Sequence, residues 1–150
     1  MASTVKHYPM FYRGVKQVYP NVPLGSPIYA KSIAVDNLLF VSGMTAQDPE
    51  TGMVMVHDIA SQMNVALNKV KAALEEAGSG MANVIKTLIL LRNPADYTMM
   101  RKTEVEFYQK HAPLLLEQPP VSTLIHVPQI GSGHEYLVEV EVVAVLSRKR

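Results

Sequence analysis

Two glutamates near the C-terminus are the residues whose types and spacing most directly suggest chemistry. Glu139 and Glu141 alternate with valines in the segment LVEVEVVAV, so in a strand both side chains lie on one face. One interpretation is an edge strand with a solvated face. The other is a carboxylate held at the rim of a cleft between subunits, where it acts as a general base or orients a water molecule. The pattern leaves both interpretations open.

Other catalytic and metal-binding patterns are not found in the sequence. The chain has no cysteine, which excludes disulfides, thiolate metal sites and a cysteine nucleophile. Its five histidines are dispersed and lack the i, i+4 spacing of a zinc site, so we expect no metal. The segment GSGH at residues 131–134 does not continue as a phosphate-binding loop does. Ser42 and Ser122 have no evident partners for a serine triad.

Length and composition predict one soluble globular domain. The chain has 150 residues, of which 48% are hydrophobic and 18% charged. A formal net charge of +1 provides no basic excess for nucleic acid, and the basic run Arg148-Lys149-Arg150 is interpreted as a solvated tail. The N-terminus has no signal-peptide core, and no apolar stretch approaches the ~20 residues that cross a bilayer. We therefore expect a cytoplasmic protein without nucleic-acid or membrane partners.

The chain is divided into an N-terminal arm, residues 1–22, and a single domain, residues 23–150. The arm is rich in proline, tyrosine and phenylalanine without any period, which predicts an extended course over the domain. It either covers the core or forms an aromatic lip over a pocket, and the sequence does not decide between these roles.

The domain sequence predicts the strands and helices that position the glutamates. Strands are predicted at Ala30–Val35, Leu38–Met44, Val84–Leu91, within Gln118–Gln129 and at Tyr136–Val145, and helices between Asp58 and Gly78 and over Tyr97–His111. Asp58 is a predicted N-cap, and Gly78 a left-handed stop. The run Leu38–Val41 is continuously apolar, so we expect it to be buried on both faces.

The order β-β-α-β-α-β-β predicts an α+β sandwich, in which one mixed sheet carries both helices on one face. The opposite face is left bare although it remains apolar, with Leu88, Leu90, Val143 and Val145. An exposed apolar face of this size usually marks an association surface, and closed cyclic symmetry is the usual outcome. We therefore expect a homo-oligomer.

Five segments resemble the RidA/YjgF family, the reactive intermediate deaminases. In chain order, between about Pro23 and Val145, they are NLLFVSGMTAQDPETG, ALNKVKAALEEAGSGMANVIKT, PADY, PPVS and LVEVEVVAV. The resemblance implies a chorismate-mutase-like fold and a homotrimer with small-molecule sites in the clefts between subunits. It also implies cofactor-free hydrolysis of enamines and imines to ketoacids and ammonia. Some relatives have been labelled ribonucleases or translation inhibitors.

The same resemblance implies a set of site residues. Glu139 falls on the family's water-activating glutamate and is the implied catalytic residue. The implied substrate-binding residues are Tyr29, Ser42, Gly43, Met44, Val121 and Thr123. Three positions depart from the family pattern, because Met44 replaces a glutamine, Val121 an arginine and Ala95 an asparagine.

Val121 bears on substrate choice, because valine offers neither charge nor hydrogen-bond donor where the family holds a substrate carboxylate. An anionic imine loses about 1.5–3 kcal/mol of charged hydrogen bonding there. Either the ligand is neutral or cationic, or another cation serves the cleft; the candidates are Lys31, Arg92, Arg101 and His134. Three functions remain open: an imine hydrolase with altered preference, a non-catalytic ligand-binding trimer, and an RNA-cleaving protein.

Overall fold

The computed structural model describes residues 2–147; the basic run interpreted as a solvated tail lies outside the described residues. The described residues form eight strands and three α-helices, in the order β1 (Val5–Tyr8), β2 (Phe11–Tyr12), β3 (Val15–Lys16), β4 (Ser32–Val35), β5 (Leu38–Met44), α1 (Ile59–Glu76), β6 (Val84–Leu91), α2 (Tyr97–His111), α3 (Leu114–Glu117), β7 (Val121–His126) and β8 (Val138–Val145). Single 3₁₀ turns precede β6 and α2.

A six-stranded mixed sheet organises the domain in the order β1-β4-β5-β8-β6-β7. The pair β6–β7 is parallel, and the other neighbouring pairs are antiparallel. Strand β8 lies between β5 and β6, so the interpretation of Glu139 and Glu141 as residues of an edge strand is wrong. The architecture confirms the predicted α+β fold with the helices on one face of the sheet.

Helix α1 forms the centre of the core because its apolar residues recur at helical spacing. Met63, Leu67 and Leu74 are fully buried between the helix and the sheet. The predicted caps are confirmed: Asp58 accepts a hydrogen bond from the Ser61 backbone N–H at 2.8 Å, and Gly78 has a φ of 81°. The helix therefore begins and ends close to where the sequence places its boundaries.

The face of the sheet opposite the helices is open in the single chain. Leu38 and Phe40 are 38% and 40% exposed on this face, whereas Leu39 and Val41 are buried beneath the helices. The expectation that the run is buried on both faces is therefore wrong for one chain. The run is continuously apolar, yet one of its two sides faces away from the helices. This side forms an apolar surface against which another protein chain can pack.

The arm contributes more structure than the sequence predicts. Val5–Tyr8 adds an edge strand to the sheet by pairing antiparallel with β4, and Phe11–Tyr12 pairs with Val15–Lys16 in a small hairpin. Among residues 2–147, no helix is both long enough and apolar enough to cross a membrane.

Candidate active site

A cavity of about 660 Å³ lies between the arm, the end of β5 and the C-terminal half of α1. One wall of the cavity is aromatic and apolar, and it comes from the arm and the loop before β8. A second wall is formed by the β5 backbone, and a third carries charged side chains. The residues that line the cavity include Phe11, Tyr12, Tyr29, Lys31, Gly43, Met44, Glu50, Lys69, Ala72, Ala73, Glu76, Tyr136 and Glu139. The arm's Phe11 and Tyr12 in this wall favour the interpretation of the arm as an aromatic lip.

Small residues on two elements make room for the cavity. On α1, Ala72 and Ala73 face it, flanked by Lys69 and Glu76 at helical spacing. On β5, the register with β8 shifts between Val41 and Met44, which is a β-bulge at Ser42-Gly43. A bulge bends its strand and redirects neighbouring side chains, and here it brings the β5 backbone against Glu139.

Gly43 and the Glu139 carboxylate are in close contact. A Cβ atom placed on Gly43 would lie 2.1 Å from Glu139 Oε1 and 2.7 Å from its Cδ, which is too close for any pair of non-bonded atoms. The absence of a side chain at position 43 is therefore what allows the carboxylate to occupy its position beside the backbone. Glu139 is thus the group that packs against this glycine.

The Glu139 carboxylate is half-buried and poorly compensated. No hydrogen bond to it occurs among the residues that the structure describes. Burial, followed by repulsion from Glu141 on the same sheet face, raises the pKa of Glu139, and attraction to Lys69 opposes the rise. A carboxylate with a raised pKa in a cavity is a stronger base than one in water, which suits proton abstraction from a water molecule.

Two tyrosines stand near this carboxylate. Burial and the nearby charge of Glu139 raise the pKa of Tyr29, so its phenol remains a hydrogen-bond donor at neutral pH. Burial, with the charge of Glu135 next, also raises the pKa of Tyr136. The Tyr29 carbonyl accepts a hydrogen bond from the Tyr19 hydroxyl, which ties the segment before β4 to the arm.

Gln62 on α1 fixes the loop that carries Tyr136. This fully buried side chain donates to the carbonyls of Val56 and Glu135 at 3.0 and 2.8 Å, and it accepts from the Leu137 N–H at 2.8 Å. Its polar atoms satisfy backbone groups of two separate segments, so the loop before β8 is held against the helix. Gln62 thereby sets the start of the strand that presents Glu139.

Lys69 is a cavity residue that the sequence analysis did not identify. Its Nζ donates to the backbone carbonyls of Thr45 and Gln47 at 2.9 and 2.7 Å. Only its position on α1 could have indicated this role. Lys69 lies three residues after Ala66 and four before Ala73, at the edge of the buried face of the helix. A lysine at such a boundary is usually a solvated residue, so the pattern alone does not single it out.

The predicted site residues divide into two groups. Tyr29, Gly43, Met44 and Glu139 line the cavity, whereas Ser42, Val121 and Thr123 do not. Ser42 is committed elsewhere, because its hydroxyl donates to the Ala30 carbonyl at 2.7 Å. The predicted role of Ser42 in ligand binding stays a prediction.

Val121 and Thr123 lie on the open sheet face, at the edge strand β7. Val121 is 69% exposed and pairs with Lys86, while Glu139 lies two strands away, opposite Leu90. A single chain does not bring these two residues to Glu139. Their part in a cleft between subunits stays a prediction.

The four candidate cations have different surroundings. Lys31 lines the cavity but forms an ion pair with Glu76 at 2.6 Å. Arg101 pairs with Glu104 at 2.7 Å, and the Arg92 guanidinium donates to the His134 carbonyl. Arg92, Arg101 and His134 are not among the cavity's lining residues. Within residues 2–147, no group of three or more metal-ligating side chains could hold a metal ion.

Replacing Gly43 by alanine is expected to displace the Glu139 carboxylate while the fold survives. The new Cβ meets the end of a flexible side chain, which can rotate away, so we expect little loss of stability. Ligand binding and any activity that depends on Glu139 should fall. A crystal structure of the variant tests the displacement, and an unmoved carboxylate would show that the glycine does not control its position.

Glu139 is also expected to destabilise the fold at neutral pH. Because its pKa is raised in the folded state, it contributes stability below its ordinary pKa, and this contribution is lost as the pH rises through the raised value. Glu139→Gln should therefore unfold at a higher temperature than wild type at pH 7, with the difference shrinking towards pH 4. Thermal unfolding across this range measures it, with Glu141→Gln as the exposed control. An equal or lower midpoint for Glu139→Gln at pH 7 would contradict the expectation.

The comparisons with known proteins agree with this architecture. Residues 21–146 match the family described as Endoribonuclease L-PSP. A RutC family protein of Pyrococcus abyssi is 30% identical over 122 residues, covering 81% of this chain and 87% of that protein. This chain belongs to the RidA/YjgF family. The family assignment made from the five sequence segments is confirmed.

Further similarity is found to proteins of Escherichia coli. A protein of Escherichia coli named 2-iminobutanoate/2-iminopropanoate deaminase is 26% identical over 125 residues, which cover 83% of this chain and 92% of that protein. The crystal structure of the YjgF gene product from E. coli superposes with a TM-score of 0.68 at 25% identity, covering 82% of this chain and 90% of the other. The RidA/YjgF fold thus spans most of the chain.

Proposed function

We propose that this protein hydrolyses small imines or enamines to carbonyl compounds and ammonia, with a preference for substrates that lack a carboxylate. The observation that carries the proposal is the Glu139 carboxylate, held in a cavity against the Gly43 backbone without a hydrogen bond from the described residues. The deaminase name of the E. coli relative supports the reaction class.

The proposed reaction needs one base and one water molecule. Glu139 accepts a proton from water while the water oxygen attacks the carbon of the C=N bond, which gives a carbinolamine. The C–N bond then breaks, the nitrogen leaves as ammonia after protonation, and the carbon becomes a carbonyl. Tyr29 lines the same cavity and would donate a hydrogen bond to the reacting molecule, and Phe11 and Tyr12 of the arm would shield it from bulk water.

The assembly is proposed to be a homotrimer formed through the open sheet face. An association surface is supported by the exposed apolar residues Leu38 and Phe40 on β5, together with the half-buried Leu88 and Leu90 on β6. In such an assembly, Val121 of one subunit would complete the cleft of the next subunit.

Phe40→Glu is expected to dissociate the trimer, because it places a charge within the apolar face. Sedimentation velocity should give one species near three times the chain mass for wild type and a smaller species for the variant. Met99→Glu is a matched control, since Met99 is also exposed and apolar but lies on α2. Dissociation by both variants, or by neither, would argue against this interface.

The direct test of the reaction is release of ammonia from freshly generated imines. A flavin amine oxidase supplies neutral imines, and an amino-acid oxidase supplies anionic 2-imino acids. Semicarbazide competes for the imine, so a hydrolase lowers the yield of semicarbazone. We expect acceleration with neutral imines; no acceleration with either class would reject the proposal.

A non-catalytic ligand-binding trimer is the second candidate. It is favoured by Val121, Met44 and Ala95, which supply no polar side chain where the family pattern has an arginine, a glutamine and an asparagine. Ligand-induced shifts in thermal unfolding that persist in Glu139→Gln, without ammonia release by wild type, would support it. The matching family is described as Endoribonuclease L-PSP, which favours ribonuclease activity. The net charge of +1, however, provides no basic excess with which to bind RNA.

A further inference from the structure

Lys69 combines features that separate it from a surface lysine. It lies half-buried on α1, it lines the cavity, and two backbone carbonyls hold its Nζ at 2.9 and 2.7 Å. Among residues 2–147, no carboxylate lies within ion-pair distance of it. Two hydrogen bonds use two of the N–H groups of the amine, and the remaining position on nitrogen is a third N–H or, in the neutral amine, a lone pair.

Burial makes the neutral form of the Lys69 amine more populated than in a surface lysine. Burial lowers the pKa of Lys69 to about 8, and the charges of Asp48 and Glu139 offset only part of this effect. The other charged groups that line the cavity are Lys31, Glu50 and Glu76. At pH 7 about one tenth of such an amine is neutral, against fewer than one in roughly a thousand for a lysine of ordinary pKa.

Lys31 provides an internal comparison within the same cavity. Its Nζ forms an ion pair with Glu76 at 2.6 Å and lies 5.7 Å from the centre of the Phe11 ring. The Lys31 amine is thus engaged by a carboxylate and by an aromatic ring. The cavity therefore contains one lysine paired with a carboxylate and a second, Lys69, without an ion-pair partner among residues 2–147.

We propose that Lys69 is a nucleophile that captures small uncharged aldehydes and ketones in the cavity as a reversible imine. The Nζ lone pair attacks the carbonyl carbon and the C–N bond forms. The C–O bond then breaks, and the oxygen leaves as water with the two hydrogens of the amine, so the hydrogen bonds to the Thr45 and Gln47 carbonyls are broken. The reverse reaction consumes one water molecule. The three lining carboxylates, Glu50, Glu76 and Glu139, disfavour anionic carbonyl compounds. This activity does not require turnover of an imine substrate.

Trapping by reduction tests the proposal. Wild-type protein is incubated at pH 7 with propanal and sodium cyanoborohydride, which reduces an imine to a stable propylamine, and peptide mapping by mass spectrometry follows each lysine. We expect Lys69 to be labelled at least about tenfold faster than Lys31 or the exposed Lys110 on α2, because the lowered pKa of Lys69 leaves more of its amine neutral. Equal labelling of the three lysines would overturn the proposal.

Three further measurements test whether accessibility alone explains the labelling of Lys69. The labelling rate of Lys69 should level off above about pH 8, whereas a lysine of ordinary pKa continues to gain rate towards pH 10. Pyruvate at the same concentration should label Lys69 more slowly than propanal, and faster labelling would contradict the uncharged class. Lys69→Arg keeps donors for the Thr45 and Gln47 carbonyls and should remove only the fast-labelled site; persistence of fast labelling would assign it elsewhere.

Discussion

Replacing Glu139 by glutamine is expected to lower kcat/KM for imine hydrolysis by about 10²- to 10⁴-fold, the usual contribution of a general base. Glutamine keeps the size of the side chain beside Gly43 but cannot accept a proton from water. Ammonia release from a neutral imine measures the loss. Binding of an unreactive analogue should change little, which separates loss of the base from loss of the site.

Glu141→Gln is the matched control for this prediction. Glu141 lies on the same face of β8 but is exposed, and its charge contributes to the raised pKa of Glu139. We expect nearly unchanged activity at pH 7 and an acid limb of the pH–rate profile displaced to lower pH, because Glu139 ionises more readily. Equal losses in the two variants would show that charge on this face, and not Glu139 as a base, is required.

Val121→Arg is expected to open the site to anionic substrates. A guanidinium at this position supplies charge-assisted hydrogen bonds of about 1.5–3 kcal/mol to a substrate carboxylate. Since each ~1.4 kcal/mol is a factor of ten, kcat/KM for an anionic 2-imino acid should rise by roughly 10- to 150-fold. The value for a neutral imine should change little, so the ratio of the two substrates is the measurement.

Ile125→Arg controls for the added charge. Ile125 lies on the same face of β7 and is also exposed, but it pairs with Leu90 and not with Lys86. We expect no gain with anionic imines from this variant. A similar gain from both variants would indicate general electrostatic attraction, and no gain from Val121→Arg would place residue 121 outside the cleft.

Much of the fold is predictable from the sequence because its signals are local. The stripe of α1, the cap at Asp58 and the glycine at position 78 each act within a few residues, so they specify the helix directly. Strands β5 and β6 are long apolar runs and have the predicted bounds, Leu38–Met44 and Val84–Leu91.

The misses arise where long-range pairing decides the structure. Strand β1 exists because Val5–Tyr8 pairs with β4 more than twenty residues later, and nothing within the arm signals that partner. Lys69 becomes a cavity residue only because the β5 bulge and the loop after it place two carbonyls at its amine.

The most direct measurement is the rate of ammonia release from a neutral imine and from an anionic 2-imino acid, each with wild type and Glu139→Gln. We predict that wild type accelerates hydrolysis of the neutral imine more than that of the anionic one, and that Glu139→Gln abolishes the acceleration. Wild type that accelerates neither substrate, or a Glu139→Gln variant that remains fully active, would contradict the assignment of a water-activating carboxylate in a cleft without a carboxylate clamp.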